Sequence, residues 1–165
     1  MFRFKPVTAD DLIMVHAWLQ RPHVAQWWHE PTSLDELVRD YIHPVDTASS
    51  TRAYLACMDA EPIGFIQSYV AMGSGGGWWE HETDPGTRGI DQFLANADGL
   101  GRGIGSAMVR AFVEQLFRDP EVTRVQTDPS PDNERAIRCY HRAGFVVDAE
   151  IDTPDGRALL MLCHR

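Results

Sequence analysis

The stretch from Arg88 to Asp128 constrains the fold most. "RGIDQFLAN" reads as a strand and "ADGLGRGIG" as a turn. "IGSAMVRAFVEQLF" then places Ile104, Met108, Ala111 and Phe112 on one helical face, with Leu116 continuing it, and "VTRVQTD" reads as a second strand. A strand, a long amphipathic helix and another strand cannot close as a hairpin. They require a crossover, so part of the sheet is parallel and covered by helices. Around this unit, "FRFKPVT" reads as a first strand, and Thr8 caps a helix carrying Leu12, Val15 and Leu19. "QRPHVAQWWHEP" interrupts it. Ser33 and Glu36 have capping-box spacing and open a second helix, with Leu34, Leu37, Val38 and Tyr41 inward. "RAYLACMD" and "PIGFIQSYVAM" are β-rich runs joined by a hairpin-length "DAEP". Ser130 followed by Pro131 marks another helix start, and Gly144 its end. "FVVDAEI" and "RALLMLCH" are strands around the turn "TPDGR". The expected fold is α/β, with a mixed sheet rather than a doubly wound one.

The 165 residues suit one domain, 1–165, with a real core. Asp plus Glu total 24 against 15 Lys plus Arg, a net charge of −9. Such a surface repels nucleic acid and anionic membranes; it either favours a cationic partner or simply keeps the chain soluble. Cys57, Cys139 and Cys163 form no CxxC pair, which suggests reduced thiols and a cytoplasmic location. "MFRFKPVTADDL" lacks the pattern of a secretory signal, and no run reaches about 18 apolar residues, so no membrane span is expected. His23, His29 and His81 show no ligand spacing, and no metal is expected.

Two glycine-rich segments compete for attention. "GSGGGWWEHETDPGTRGIDQ", from Gly73 to Gln92, mixes glycines, tryptophans and the acids Glu80, Glu82, Asp84 and Asp91. "GLGRGIG" lies between a strand and a long helix. Its bare backbone N–H groups and the helix dipole suit a phosphate, and tight packing would require the same glycines. There is no GxxxxGK[ST], and GxGxxG fails in both registers, at Ile104 and at Ser106. Further on, Asn133 and Tyr140 are seven positions apart and share a helix face. Taken locally, Asn133 is a cap and Tyr140 a core tyrosine.

"LGRGIG" followed by "NERAIRCYHRAGF" resembles the GNAT superfamily of N-acetyltransferases. The resemblance implies a mixed sheet of about seven strands, splayed at its middle, where acetyl-CoA wedges between the fourth and fifth strands. "EPIGFIQSYVA", "GWWEHETDPGTRGIDQFLAN", "DPEVTRVQTDPSPDNERAIRCY", "WLQRPHVAQWW" and "TPDGRALLM" are similar to the aminoglycoside 6′-N-acetyltransferases of type Ib, across most of Leu12 to Met161. That likeness implies acetyl transfer to a small cationic amine, with no nucleic acid, membrane or metal involved and a monomer or dimer as the working form. Tyr140 is then the acid for the departing thiolate, and Asp91 receives or relays the amine proton. A backbone N–H near Gln92 to Leu94 polarises the carbonyl. Gly101, Arg102, Gly103, Ile104, Gly105 and Ser106 take the pyrophosphate, and Asn133 holds the pantetheine arm. Asp91, Asp128 and Asp155 match acidic positions of the family's drug site; Trp28, Tyr41 and Trp79 match its aromatic positions.

Two departures stand out. The type Ib enzymes carry a drug-site aspartate at the place of Gly76, so weaker or altered aminoglycoside recognition is expected. They also usually run on beyond the position of Arg165. Other acceptors on the same scaffold are siderophore-type lysine derivatives, for which "RPHVAQWW" has a resemblance, and polyamines. A binding module with little catalysis is the remaining alternative, and the presence of Tyr140 argues against it.

Overall fold

The computed structural model describes residues 1–29, 31–42 and 49–165. Seven strands form one sheet in the order β1-β2-β3-β4-β5-β7-β6. They are β1 (Phe2–Pro6), β2 (Arg52–Met58), β3 (Glu61–Val70), β4 (Thr87–Leu94), β5 (Arg124–Thr127), β6 (Val146–Thr153) and β7 (Gly156–His164). The helices are α1 (Leu12–Leu19), α2 (Pro22–Ala25), α3 (Leu34–Tyr41), α4 (Ile104–Leu116) and α5 (Glu134–Arg142). β4 and β5 are parallel, joined through α4 as the crossover requires. Their register runs Thr87–Gly89 against Arg124–Gln126, while β4 continues to Leu94. The strands part beyond Gly89, which is the splay the resemblance implies.

The residues group into two compact units, Met1–Gln67 with Gln92–Leu100, and Ser68–Asp91 with Gly101–Arg165. In the first, Leu12, Val15, Trp18 and Leu19 of α1 join Leu37, Tyr41, Leu55, Phe65 and Phe93 in one apolar core. The Ser33 cap works as its spacing suggests: the Glu36 amide donates to Ser33 Oγ at 3.2 Å, and Glu36 Oε2 accepts from the Ser33 amide at 2.9 Å. Only Leu37 and Tyr41 point inward, however; Leu34 and Val38 are exposed. A helix on one edge of a core buries one narrow stripe, and positions 37 and 41 are four apart on it. The segment read as an interruption contains α2, started by Pro22 at its first turn. Arg21 fastens this corner, donating to Ala95 O and Asn96 Oδ1, both at 2.5 Å.

In the second unit, α4 buries Met108, Val109, Phe112 and Val113. Val125, Phe145 and Met161 are also buried here. α5 begins at Glu134, not at Ser130–Pro131. Ser130 instead closes a turn, its carbonyl accepting from the Asn133 amide at 2.9 Å, and Asn133 is the cap, accepting from the Ala136 amide at 3.2 Å. The helix ends in a Schellman pair: the Phe145 amide bonds Tyr140 O and the Gly144 amide bonds His141 O, with Gly144 at φ 106°.

Candidate active site

The second unit places several of the expected site residues together. Gly89 and Gln126 are in register on parallel strands, so they share a face of the sheet. Asp91 and Asp128 lie two residues beyond each, and side chains alternate along extended backbone, so both return to that same face where the strands part. Both are half-buried. Burial, reinforced by the charges of Asp91 and Asp155, pushes the Asp128 carboxyl up to about 8. Asp155 is exposed in the β6–β7 turn, ahead of Gly156. Carboxylates from β4 and from a hairpin tip therefore both act on Asp128 at the end of β5.

Tyr69, at the end of β3, belongs to the same group. Burial, then the carboxylates of Asp91 and Asp128, push its hydroxyl well above the usual tyrosine range, and Tyr140 adds to the effect. Its oxygen accepts from Trp79 Nε1 at 3.1 Å. Trp79 is half-buried and has φ 53°, and its ring centroid is 5.7 Å from that of Trp78. Tyr140 is buried on α5 with its ring 5.5 Å from Phe145, edge on.

Two of the acids in the glycine-rich loop do structural work. Arg124 pairs with Glu82 at 2.6 Å, and Thr123 donates to Asp84 at 2.6 Å. Burial alone would raise Glu82, but the Asp84 amide and Arg124 hold it below its ordinary value. These bonds tie the end of the loop to the start of β5.

The turn before α4 suits an anion. Gly103, at φ 83°, is the residue before the helix and brings no side-chain cap, so the first helical N–H groups are left for another partner. A Cβ at Gly101 or Gly103 would meet nothing within 4 Å, so the space in front of the helix is open. Arg102 is exposed, and Ile104 and Gly105 are half-exposed. Ser106 is buried with its hydroxyl against the Cys139 thiol, which leaves its amide as the group for a ligand. Burial raises the Cys139 thiol despite that hydrogen bond. Asn133 is half-buried at the head of α5, its oxygen used as the cap. Among the described residues, no group of three or more His, Cys, Asp or Glu is placed to hold a metal.

Trp28 and Tyr41 lie in the first unit, within an aromatic nest. The Trp28 ring is 5.1 Å from Phe93 and 5.6 Å from Phe65, edge on, and Tyr41 is 5.0 Å from Phe65.

The profile of the acetyltransferase (GNAT) domain matches residues 7–153. The chain belongs to the GNAT acetyltransferase family. A curated relative, the aminoglycoside N(6′)-acetyltransferase type 1 of Klebsiella pneumoniae, is 54% identical over 163 residues, covering 96% of this chain and 81% of that protein. The kanamycin resistance protein of Rhizobium radiobacter is 64% identical over 90 residues, covering 54% of this chain and 83% of its own length. The crystal structure of AAC(6′)-Ib in complex with coenzyme A and kanamycin has a TM-score of 0.93 at 52% identity, covering 100% of this chain and 95% of that chain. Tyr69 and Gly89 are parts of this GNAT chain that sequence reasoning did not single out.

Proposed function

We infer that this chain transfers the acetyl group of acetyl-CoA to the 6′-amine of an aminoglycoside antibiotic, by direct attack in a ternary complex. The observation that carries the reading is the 54% identity, across 96% of the chain, to an aminoglycoside acetyltransferase. The acid face supports it: an aminoglycoside carries several ammonium groups, Asp91 and Asp155 offer charge-assisted acceptors, and Asp128 joins them as the pH rises toward 8. Trp79 offers a ring for a sugar or an ammonium group.

In this reading the turn Gly101–Ser106 binds the pyrophosphate through backbone N–H groups, with Arg102 adding charge and the free amide end of Asn133 meeting the pantetheine arm. The amine must lose a proton before it attacks. Asp91 lies on the strand at the splay, next to a carboxyl whose proton affinity is already raised. Asp128 keeps its own proton near neutral pH, so Asp91 is the group that receives or relays the amine proton, with water. Tyr140 protonates the leaving thiolate. A covalent cysteine intermediate is disfavoured, because burial keeps Cys139 a thiol. Three free cysteines support a reducing, cytoplasmic setting.

Trp28 and Tyr41 retain the aromatic substrate role by resemblance. Trp28 Nε1 is buried and without a hydrogen-bond partner among the described residues, so Trp28→Phe keeps one aromatic ring and removes the unpaired donor together with part of the ring area. A raised drug KM in that variant supports the role; an unchanged KM assigns Trp28 to the core.

A different amine acceptor is the second reading, favoured by Gly76 where the type Ib enzymes have an acid. Thiol release from acetyl-CoA, measured with kanamycin-type drugs, polyamines and lysine derivatives, separates the two. Fast release with 6′-amine drugs is expected. Release only with polyamines or lysine derivatives overturns the first reading.

A further inference from the structure

The Tyr69–Trp79 bond has a construction that ordinary packing does not require. Gly89 of β4 lacks a side chain, and a Cβ there would collide with Tyr69 Cζ, Oη and Cε2. The tyrosine ring therefore occupies the space a side chain on β4 would fill. Its hydroxyl is left on the face that carries Asp91, and there it is the acceptor for Trp79 Nε1 at 3.1 Å. Trp79 itself is held in a backbone region that bulky residues avoid, at φ 53°. Such a conformation persists only where the surroundings over-determine it. Two restraints on Trp79 are visible: the Glu82 amide bonded to its carbonyl at 2.9 Å, and Tyr69 bonded to its indole. The first fixes the backbone. The second holds the indole N–H, on a ring that otherwise leans on Trp78 at 5.7 Å.

We propose that Tyr69 is a positioning residue of the acceptor site: seated in the gap at Gly89, it fixes the Trp79 indole in the orientation against which the amine substrate packs. The proposal rests on the aminoglycoside reading for its substrate, but not for the anchoring itself. A rigid ring presents its face without an ordering cost at each binding event, so the contribution appears in acceptor affinity and not in the chemical step. The high proton affinity of the Tyr69 hydroxyl keeps it neutral across the working range, so the bond it accepts does not change with pH there.

Tyr69→Phe keeps the ring over Gly89 and deletes the acceptor. Loss of one such bond should raise the drug KM about fivefold, with kcat and the acetyl-CoA KM changed less than about twofold. In the Trp79→Phe background the same substitution should add less than about twofold, because its effect passes through the indole. A third readout does not depend on turnover. The Trp79 indole N–H resonance, assigned by its loss in Trp79→Phe, should exchange with solvent several-fold faster in Tyr69→Phe. An unchanged drug KM, an undiminished effect in the Trp79→Phe background, or unchanged indole exchange overturns the proposal. A wild-type protein that releases no thiol with any 6′-amine drug overturns the functional reading and the KM consequence together; the indole exchange then still decides the anchoring.

Discussion

Two aromatic groups in this molecule contain the same residue types in different physical settings. Trp28 and Tyr41 pack on Phe65 and Phe93, and the last two rings stack at 5.4 Å. Phe65 is fully buried, and the nest is continuous with the core of the first unit. Tyr69 instead feels the carboxylates of Asp91 and Asp128, and Trp79 and Tyr140 are its neighbours. The first group is rings alone; the second adds a hydroxyl bonded to an indole, and the carboxylates that act on it. Truncating Phe65, the fully buried centre of the nest, should therefore be felt in stability, and a truncation in the acid-flanked group should be felt in turnover or affinity.

The largest expected effect tests the nest. Phe65→Ala removes a ring that three others touch and should lower unfolding stability by about 3–5 kcal/mol, measured by urea denaturation. A loss below 1 kcal/mol would mean the nest is not a core. Tyr140→Phe comes next. It retains the ring against Phe145, so the melting temperature should hold, while kcat falls about 100-fold as a general acid is lost. Equal kcat in the two proteins would remove Tyr140 from the chemistry.

Asp128→Asn should raise the drug KM about tenfold above pH 8, where the carboxylate is charged and makes a charge-assisted bond. The gap should narrow toward pH 6, because the wild-type group is then protonated. The titration of the drug is common to both proteins and cancels in the ratio. Stability moves the other way. The folded-state value of about 8 lies above the ordinary 3.8, so Asp128 contributes stability at low pH that is lost as the pH rises toward 8. The Asn variant should lack this decline, which melting curves from pH 4 to 9 would detect. The smallest effect is at Gly76. Its φ of 62° is one that aspartate tolerates, and a Cβ would sit 3.8 Å from Trp78 Cδ1, an ordinary contact. Gly76→Asp should lower the drug KM by about threefold, the scale of one exposed charge contact; no change would mean that the missing acid does not weaken this site.

The strands, the β4–α4–β5 crossover and the glycine turn before α4 were legible because period and turn chemistry are local. α2 was not, since four residues opening on a proline show no periodicity. Asn133 capped α5 in place of Ser130, a competition between two good caps that spacing alone does not decide. The resemblance singled out Asp91 among the acids of the glycine-rich loop, but the structural work of Glu82 and Asp84 was not legible, because their partners Arg124 and Thr123 lie more than thirty residues away. Tyr69 in the gap at Gly89 joins two strands across the long connection between them, and nothing near either residue marks the contact.

The most direct measurement of the central claim is the position of the acetyl group in the product. The protein should be incubated with acetyl-CoA and a matched pair of aminoglycosides, one with a 6′-amine and one with a 6′-hydroxyl, and the products analysed by mass spectrometry and NMR. A single acetyl group on the 6′-nitrogen of the first drug and none on the second is expected. Acetylation at another nitrogen, or of both drugs alike, would contradict it.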